Sequence, residues 1–212
     1  SYFIFFLILL FSSLVILERN KHLIYRVIYS YDQKSRPYNY YVNYFNNFSV
    51  FGIDVSLYQG KIDWLQLTSK QQIDFVFIRA SAGVDKVDYK FYNNWGHAKK
   101  YNILRGAYHY YRPNENSSQQ ADNFINTVNL EKGDLPPVLD IEEYSKVQSI
   151  RSLKTGLLNW LNIIESHYGI TPILYTYNKF YVNLFLNDSR FDKYTIWLAW
   201  YNVDRNPNEV LK

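Results

Sequence analysis

The sequence predicts an α/β protein, a TIM-like (β/α) barrel of parallel strands wrapped by helices. From Ser49 onward, short apolar runs alternate with segments of helical spacing, the pattern of parallel strands joined by right-handed crossovers. Runs such as Phe75-Val76-Phe77-Ile78 are apolar at consecutive positions, as strands buried on both faces are. Polar and aromatic residues end most of these runs: Asp54, Arg79, Tyr110, Asp140 with Glu142, Tyr175, and Trp200 with Tyr201. A barrel collects its site from the C-terminal ends of many strands. A doubly wound dinucleotide fold would instead carry a Gly-rich loop after its first strand. Here that strand runs into Asp54-Val55-Ser56-Leu57-Tyr58-Gln59-Gly60, so the barrel is preferred.

Tyr2 to Leu17 is almost wholly apolar and uncharged, and Glu18, Arg19 and Lys21 end it abruptly. A membrane-spanning helix needs roughly 20 apolar residues, within a range of about 17–25. No small-x-small cleavage site follows. Residues 1–18 are therefore read as an uncleaved membrane anchor, ahead of a cleaved signal segment and, third, a buried core helix. Residues 19–48, polar and rich in Asn and Tyr, read as a juxtamembrane stalk, and residues 49–212 as the barrel.

Within the barrel, strands are expected at 50–55, 75–80, 104–111, 137–141, 172–176 and 195–200. Helices are expected at 63–71, 89–100, 117–129, 150–167 and 179–186. Asp63 is placed to cap the first helix and Ser117 the third, while Gly133 and Gly169 read as helix stops. Leu153, Leu157, Trp160, Leu161 and Ile164 recur at helical spacing.

The 212 residues suffice for one domain with a sizeable core. Aromatic residues make up 19%, including 22 Tyr and 5 Trp, which suits both carbohydrate stacking and core packing. The net charge of +4 is not concentrated in any Lys/Arg block, so nucleic acid is not an expected partner. The absence of Cys excludes disulfides, thiolate zinc sites and a Cys nucleophile. Four scattered His without an HExxH pair argue against a metal site, and no cofactor is expected. No Gly-x-Ser-x-Gly segment supports esterase chemistry.

The acids carry the chemistry. Strand side chains alternate, so Asp140 and Glu142 would project together from one strand end, with Glu143 on the opposite, solvent-exposed face. Paired carboxylates are what cleavage of a sugar bond requires. Crowding raises one of their pKa values, making that group a proton donor. Glu142, further along, is assigned this role. Asp140 would stay ionised and stabilise positive charge at the anomeric carbon. Asp54 either lines the same cleft, caps the following turn, or pairs with Arg79. Arg79 would hold a substrate carboxylate or amide oxygen, or fix Asp54. Tyr110, Tyr175, Trp197 and Trp200 are candidate sugar platforms, and His109 reads as a satisfied core histidine.

In order, the chain carries Phe51-Gly52-Ile53-Asp54-Val55-Ser56, Tyr58-Gln59-Gly60 with Ile62-Asp63-Trp64, Phe75-Val76-Phe77-Ile78-Arg79-Ala80, and Gly106-Ala107-Tyr108-His109-Tyr110-Tyr111. Leu139-Asp140-Ile141-Glu142, Pro172-Ile173-Leu174-Tyr175-Thr176 and Trp197-Leu198-Ala199-Trp200-Tyr201 follow. Seven segments in this order resemble glycoside hydrolase family 25, the Chalaropsis-type lysozymes. The resemblance implies an irregular (β/α) barrel whose last strands lack intervening helices, and cleavage of the β-1,4 bond between N-acetylmuramic acid and N-acetylglucosamine in peptidoglycan. Glu142 matches the family's proton donor, and Asp54 and Asp140 its other acids. Arg79 matches a usual basic position and Tyr175 a substrate-contacting Tyr; Tyr58 joins the candidate contacts. The substrate's own 2-acetamido group is one candidate nucleophile, with Asp140 orienting it.

Trp200 stands where the family usually has Gln. The family's last strands, with a Trp-Gln-Tyr segment and a further acid, would follow Lys212, so the chain reads as a fragment with an open barrel edge. The expected protein is a monomeric enzyme acting on peptidoglycan, anchored in or secreted across a membrane into the periplasm or beyond the cell. The competing expectation is a catalytically silent, wall-binding barrel.

Overall fold

A computed structural model describes residues 13–17, 23–28, 51–70 and 73–200, with side chains for 51–69 and 73–199. Nine strands form one sheet: β1 (Ser13–Leu17), β2 (Leu23–Ile28), β3 (Gly52–Val55), β4 (Phe75–Ala82), β5 (Lys86–Val87), β6 (Leu104–Tyr110), β7 (Val138–Asp140), β8 (Ile173–Tyr177) and β9 (Thr195–Trp200). Five helices pack on it: α1 (Trp64–Lys70), α2 (Phe91–Lys100), α3 (Ser117–Thr127), α4 (Ile150–Tyr168) and α5 (Asn178–Leu184). The strand order is β1-β2-β9-β8-β7-β6-β4-β3, with β5 folded back on β4 as a hairpin. Neighbours from β3 through β9 to β2 run parallel, and only β1 and β5 are antiparallel to their partners. The sheet curls until its end strands, β1 and β3, lie near one another.

All six expected strands and five expected helices are present, with shifts at their ends. Asp63 caps α1 through the Gln66 amide at 2.9 Å. Asn116, not Ser117, caps α3: its Oδ1 accepts from the Ser118 and Gln119 amides. That helix ends at Val128, ahead of Gly133, which lies in a later turn. Ser149 caps α4, and Gly169 closes it. The buried stripe on α4 is the expected one: Leu153, Leu157, Trp160, Leu161 and Ile164.

The N-terminal expectations change. Ser13–Leu17, inside the apolar run read as a helical anchor, is a strand paired with β2, while residues 1–12 lie outside the described residues. Among the described residues no helix is long and apolar enough to cross a membrane. Leu23–Ile28, inside the segment read as a stalk, is a strand whose partner is β9. The β9 edge expected to stand open is therefore occupied. A row of unsatisfied N–H and C=O groups accepts any strand of compatible direction, and β2 supplies one.

Two apolar layers flank the sheet. Ile53, Val55, Val76, Ile78, Ala107, Leu139, Leu174 and Leu198 face the helices. Phe75, Phe77, Val138, Ile173, Tyr175, Trp197 and Ala199 fill the inside of the curl. The inner filling sets sequence requirements on neighbouring strands. A Cβ added at Gly106 would lie 2.3 Å from the Phe77 ring, so only glycine leaves that ring its place.

Candidate active site

Strand alternation sorts the functional side chains onto the inner face. On β3, Ile53 and Val55 take the helix side, leaving Asp54 inside, level with Phe77. On β4, Arg79 follows Phe75 and Phe77 along the inner row. On β6, Tyr108 and Tyr110 point inward. The register then places Asp140 of β7 between Tyr110 on one side and Tyr175 of β8 on the other. Asp54 and Asp140 are both buried, at 9% and 6% exposed.

The chain stays extended past β7, because the Ile141 amide donates to the Tyr175 carbonyl at 3.0 Å and Thr176 Oγ1 donates to the Ile141 carbonyl at 2.6 Å. This carries Glu142 to the rim, half-buried. Its charge is felt by two phenols. Tyr110 is held well above its ordinary pKa, first by burial, then by its hydrogen bond to Glu143 and by the charges of Glu143, Asp140 and Glu142. Tyr177 is raised too, by burial first and then by Tyr144 and Glu142. Asp140, Glu142 and Tyr110 thus form one electrostatic group, with Tyr177 beside it.

Arg79 is fixed by a residue outside the expected set. Its Nε donates to Asp88 Oδ2 at 2.9 Å, and the Asp88 carboxylate also accepts from the amides of Leu57 and Lys90. One buried acid thereby ties the loop after β3, the end of β4 and the start of α2. Arg79 also lies over the Tyr58 ring, 4.8 Å from its centroid. Tyr58 is 68% exposed, an open aromatic face at the rim. The signal for Asp88 was its place just before an expected helix, where an Asp commonly binds free amides.

Two proposed platforms lie deeper than expected. Tyr175 and Trp197 are each 2% exposed, and Trp197 packs against Phe77 at 4.7 Å and Tyr175 at 5.0 Å. They form the aromatic floor of the cleft rather than an open wall. The Trp200 side chain and Tyr201 lie outside the described residues. Glu143 is exposed, yet it accepts a hydrogen bond from Tyr110 at 2.8 Å and so serves the cleft side. The reason is that β7 ends at Asp140, beyond which strict alternation no longer holds.

His109 faces the opposite way from Tyr110. Gln120 Nε2 donates to the Arg112 and Glu115 carbonyls, so its Oε1 is the acceptor facing His109 Nε2 at 3.2 Å. His109 therefore carries its proton on Nε2, and Nδ1 accepts from Ser81 Oγ at 2.8 Å. Burial, with Arg112 nearby, lowers its pKa to about 4. It is a neutral core residue stacked on Trp160. Among the described residues no group of three His, Asp or Glu side chains is placed to hold a metal ion.

Residues 53–211 match the family model of glycosyl hydrolases family 25. The chain is 37% identical to the Escherichia coli protein YegX over 168 residues, covering 77% of this chain and 60% of that protein. It is 29% identical to the autolytic lysozyme of Clostridium acetobutylicum over 157 residues, 74% of this chain and 46% of that one. The chain thus spans less than two thirds of these relatives' length. Among solved structures, a family 25 glycosyl hydrolase from Bacillus anthracis superposes with a TM-score of 0.66 at 34% identity, covering 72% of this chain and 71% of that one. A bacterial lysozyme from Streptomyces coelicolor gives a TM-score of 0.66 at 28% identity, covering 73% and 76%. With its acids on the inner rim and a match spanning most of its length, the chain belongs to glycosyl hydrolases family 25.

Proposed function

We propose that this chain is the catalytic barrel of a peptidoglycan hydrolase that cleaves the β-1,4 bond between N-acetylmuramic acid and N-acetylglucosamine. The observation that carries the reading is the alignment of Asp54, Arg79, Tyr110 and Asp140 on the inner rim, with Glu142 just beyond. Glu142 donates its proton to the glycosidic oxygen as the C1–O bond breaks. Asp140 stays ionised and either stabilises the charge at C1 or orients the substrate's 2-acetamido group for attack. Asp54 completes the acidic wall. Arg79, held by Asp88, presents its remaining N–H groups to a carboxylate or carbonyl oxygen of the glycan. Tyr58 offers an exposed ring to a sugar face. Such a barrel works on the wall outside the cytoplasmic membrane.

The test is release of new reducing ends from purified peptidoglycan by the full-length protein. The wild type should yield ends terminating in N-acetylmuramic acid by mass spectrometry. Glu142→Gln should release them at least about 100-fold more slowly, the usual scale for loss of a general acid. Equal background release by both proteins would favour the silent wall-binding barrel instead.

A further inference from the structure

Resting on the assignment of Glu142 as proton donor, we infer that Glu143 is a positioning residue: it captures the Tyr110 hydroxyl and keeps that proton away from Asp140 and Glu142. A phenol has one O–H to give. Tyr110 stands beside Asp140 in register and feels the charges of Asp140, Glu142 and Glu143. The bond goes to Glu143 Oε1, at 2.8 Å.

The choice matters because a hydrogen bond donated to a carboxylate favours its ionised form. A phenol bonded to Glu142 would oppose the protonated state that a proton donor must keep. Bonded to Glu143, the phenol leaves Glu142 its proton, and the charge on Glu143 further disfavours ionisation of Glu142. Glu143 is exposed to solvent, whereas Asp140 is buried. The segment carrying both glutamates is pinned on each side. Ile141 is bonded to β8, and Tyr144 packs on Phe180 at 4.6 Å and accepts from Asn183 Nδ2 at 3.3 Å. Among the described residues, the ionisable groups on this rim include Tyr108 and Tyr110 from β6, Asp140 from β7, Tyr175 and Tyr177 from β8 and Tyr144 beyond β7, with Asp54 of β3 and Arg79 of β4.

The experiment is the pH profile of kcat/KM on peptidoglycan for the full-length wild type, Glu143→Ala, Glu143→Gln, Tyr110→Phe and Tyr110→Phe/Glu143→Ala, with circular dichroism to verify folding. In Glu143→Ala the alkaline limb should move to lower pH by at least about half a unit, because the freed phenol turns to the remaining acids. Glu143→Gln keeps an acceptor for Tyr110 and loses only the charge, so its limb should move less. In the Tyr110→Phe background, removing Glu143 should shift the limb by less than it does alone. The inference fails if Glu143→Ala follows the wild-type profile, if it loses rate equally at every pH, or if the double variant shifts as far as Glu143→Ala. A Glu142→Gln control separates the two levels. Full activity there would sink the proton-donor assignment itself, whereas an inactive control with an unmoved Glu143→Ala limb would sink only the role of Glu143.

Discussion

His109 should set the acid limit of stability. It is fully buried against Trp160 and Phe124, neutral, with both ring nitrogens satisfied. Its pKa falls from 6.5 to about 4 on folding, chiefly through burial. Because the folded value is the lower one, the unfolded chain takes up the proton first as pH falls. The stabilisation is therefore complete above about 6.5 and is lost progressively between there and about 4. Each pH unit in that window is worth about 1.4 kcal/mol, so the whole loss is about 3 kcal/mol. That is a large share of the roughly 5–15 kcal/mol that holds an ordinary domain together.

The assay is urea unfolding at several values between pH 7 and pH 4.5, for wild type and His109→Gln. Gln at this site removes the titration while keeping a donor and an acceptor near Gln120 and Ser81. The wild-type stability should fall about 1.4 kcal/mol per pH unit faster than that of the variant. Parallel pH dependences would refute the reasoning, as would an imidazole titrating near 6.5 by NMR in the folded protein.

Asp88→Ala should cost about 3–5 kcal/mol, because it strands the mostly buried Arg79 guanidinium and the Leu57 amide, and the surviving folded enzyme should show a raised KM; thermal unfolding and peptidoglycan kinetics measure the two effects. Gly106→Ala should lower stability by about 1–3 kcal/mol, since the new methyl meets the Phe77 ring inside the barrel, and the midpoint of urea unfolding reads this directly.

The barrel was legible because its grammar is local. A continuous apolar run places Phe75–Ala82, and a period-3.6 stripe places Ile150–Tyr168, without any knowledge of their neighbours. Asp140 and Glu142 were legible for the same reason, as acids closing an apolar strand. What escaped depends on partners far along the chain. The hairpin strand Lys86–Val87 is two residues long and carries no period. Asp88 reads as a helix cap until β4 brings Arg79 to it, nine positions away. Trp197 looks like a platform because indole suits sugars, but Phe77 and Tyr175 from two other strands close over it. The role of Glu143 follows from the length of β7, since ending the strand at Asp140 is what frees Glu143 to reach Tyr110.

One strand therefore carries two pH effects on its two faces. His109 and Tyr110 are adjacent, but alternation sends the imidazole into the helix layer and the phenol into the cleft. The bulge between Arg79 and Ser81 makes this possible, since the shifted register sets Ser81 opposite His109. Loss of stability below pH 6.5 arises in one layer, and the alkaline limit of turnover in the other. From His109 the hydrogen bonds run through Gln120 to the backbone of Arg112 and Glu115, on the helix side. His109→Gln should then flatten the acid dependence of stability while leaving the alkaline limb of kcat/KM in place, and Glu143→Ala should do the reverse. If either substitution moved both limits, the two faces of β6 would be coupled, and the separation read from strand alternation would be wrong.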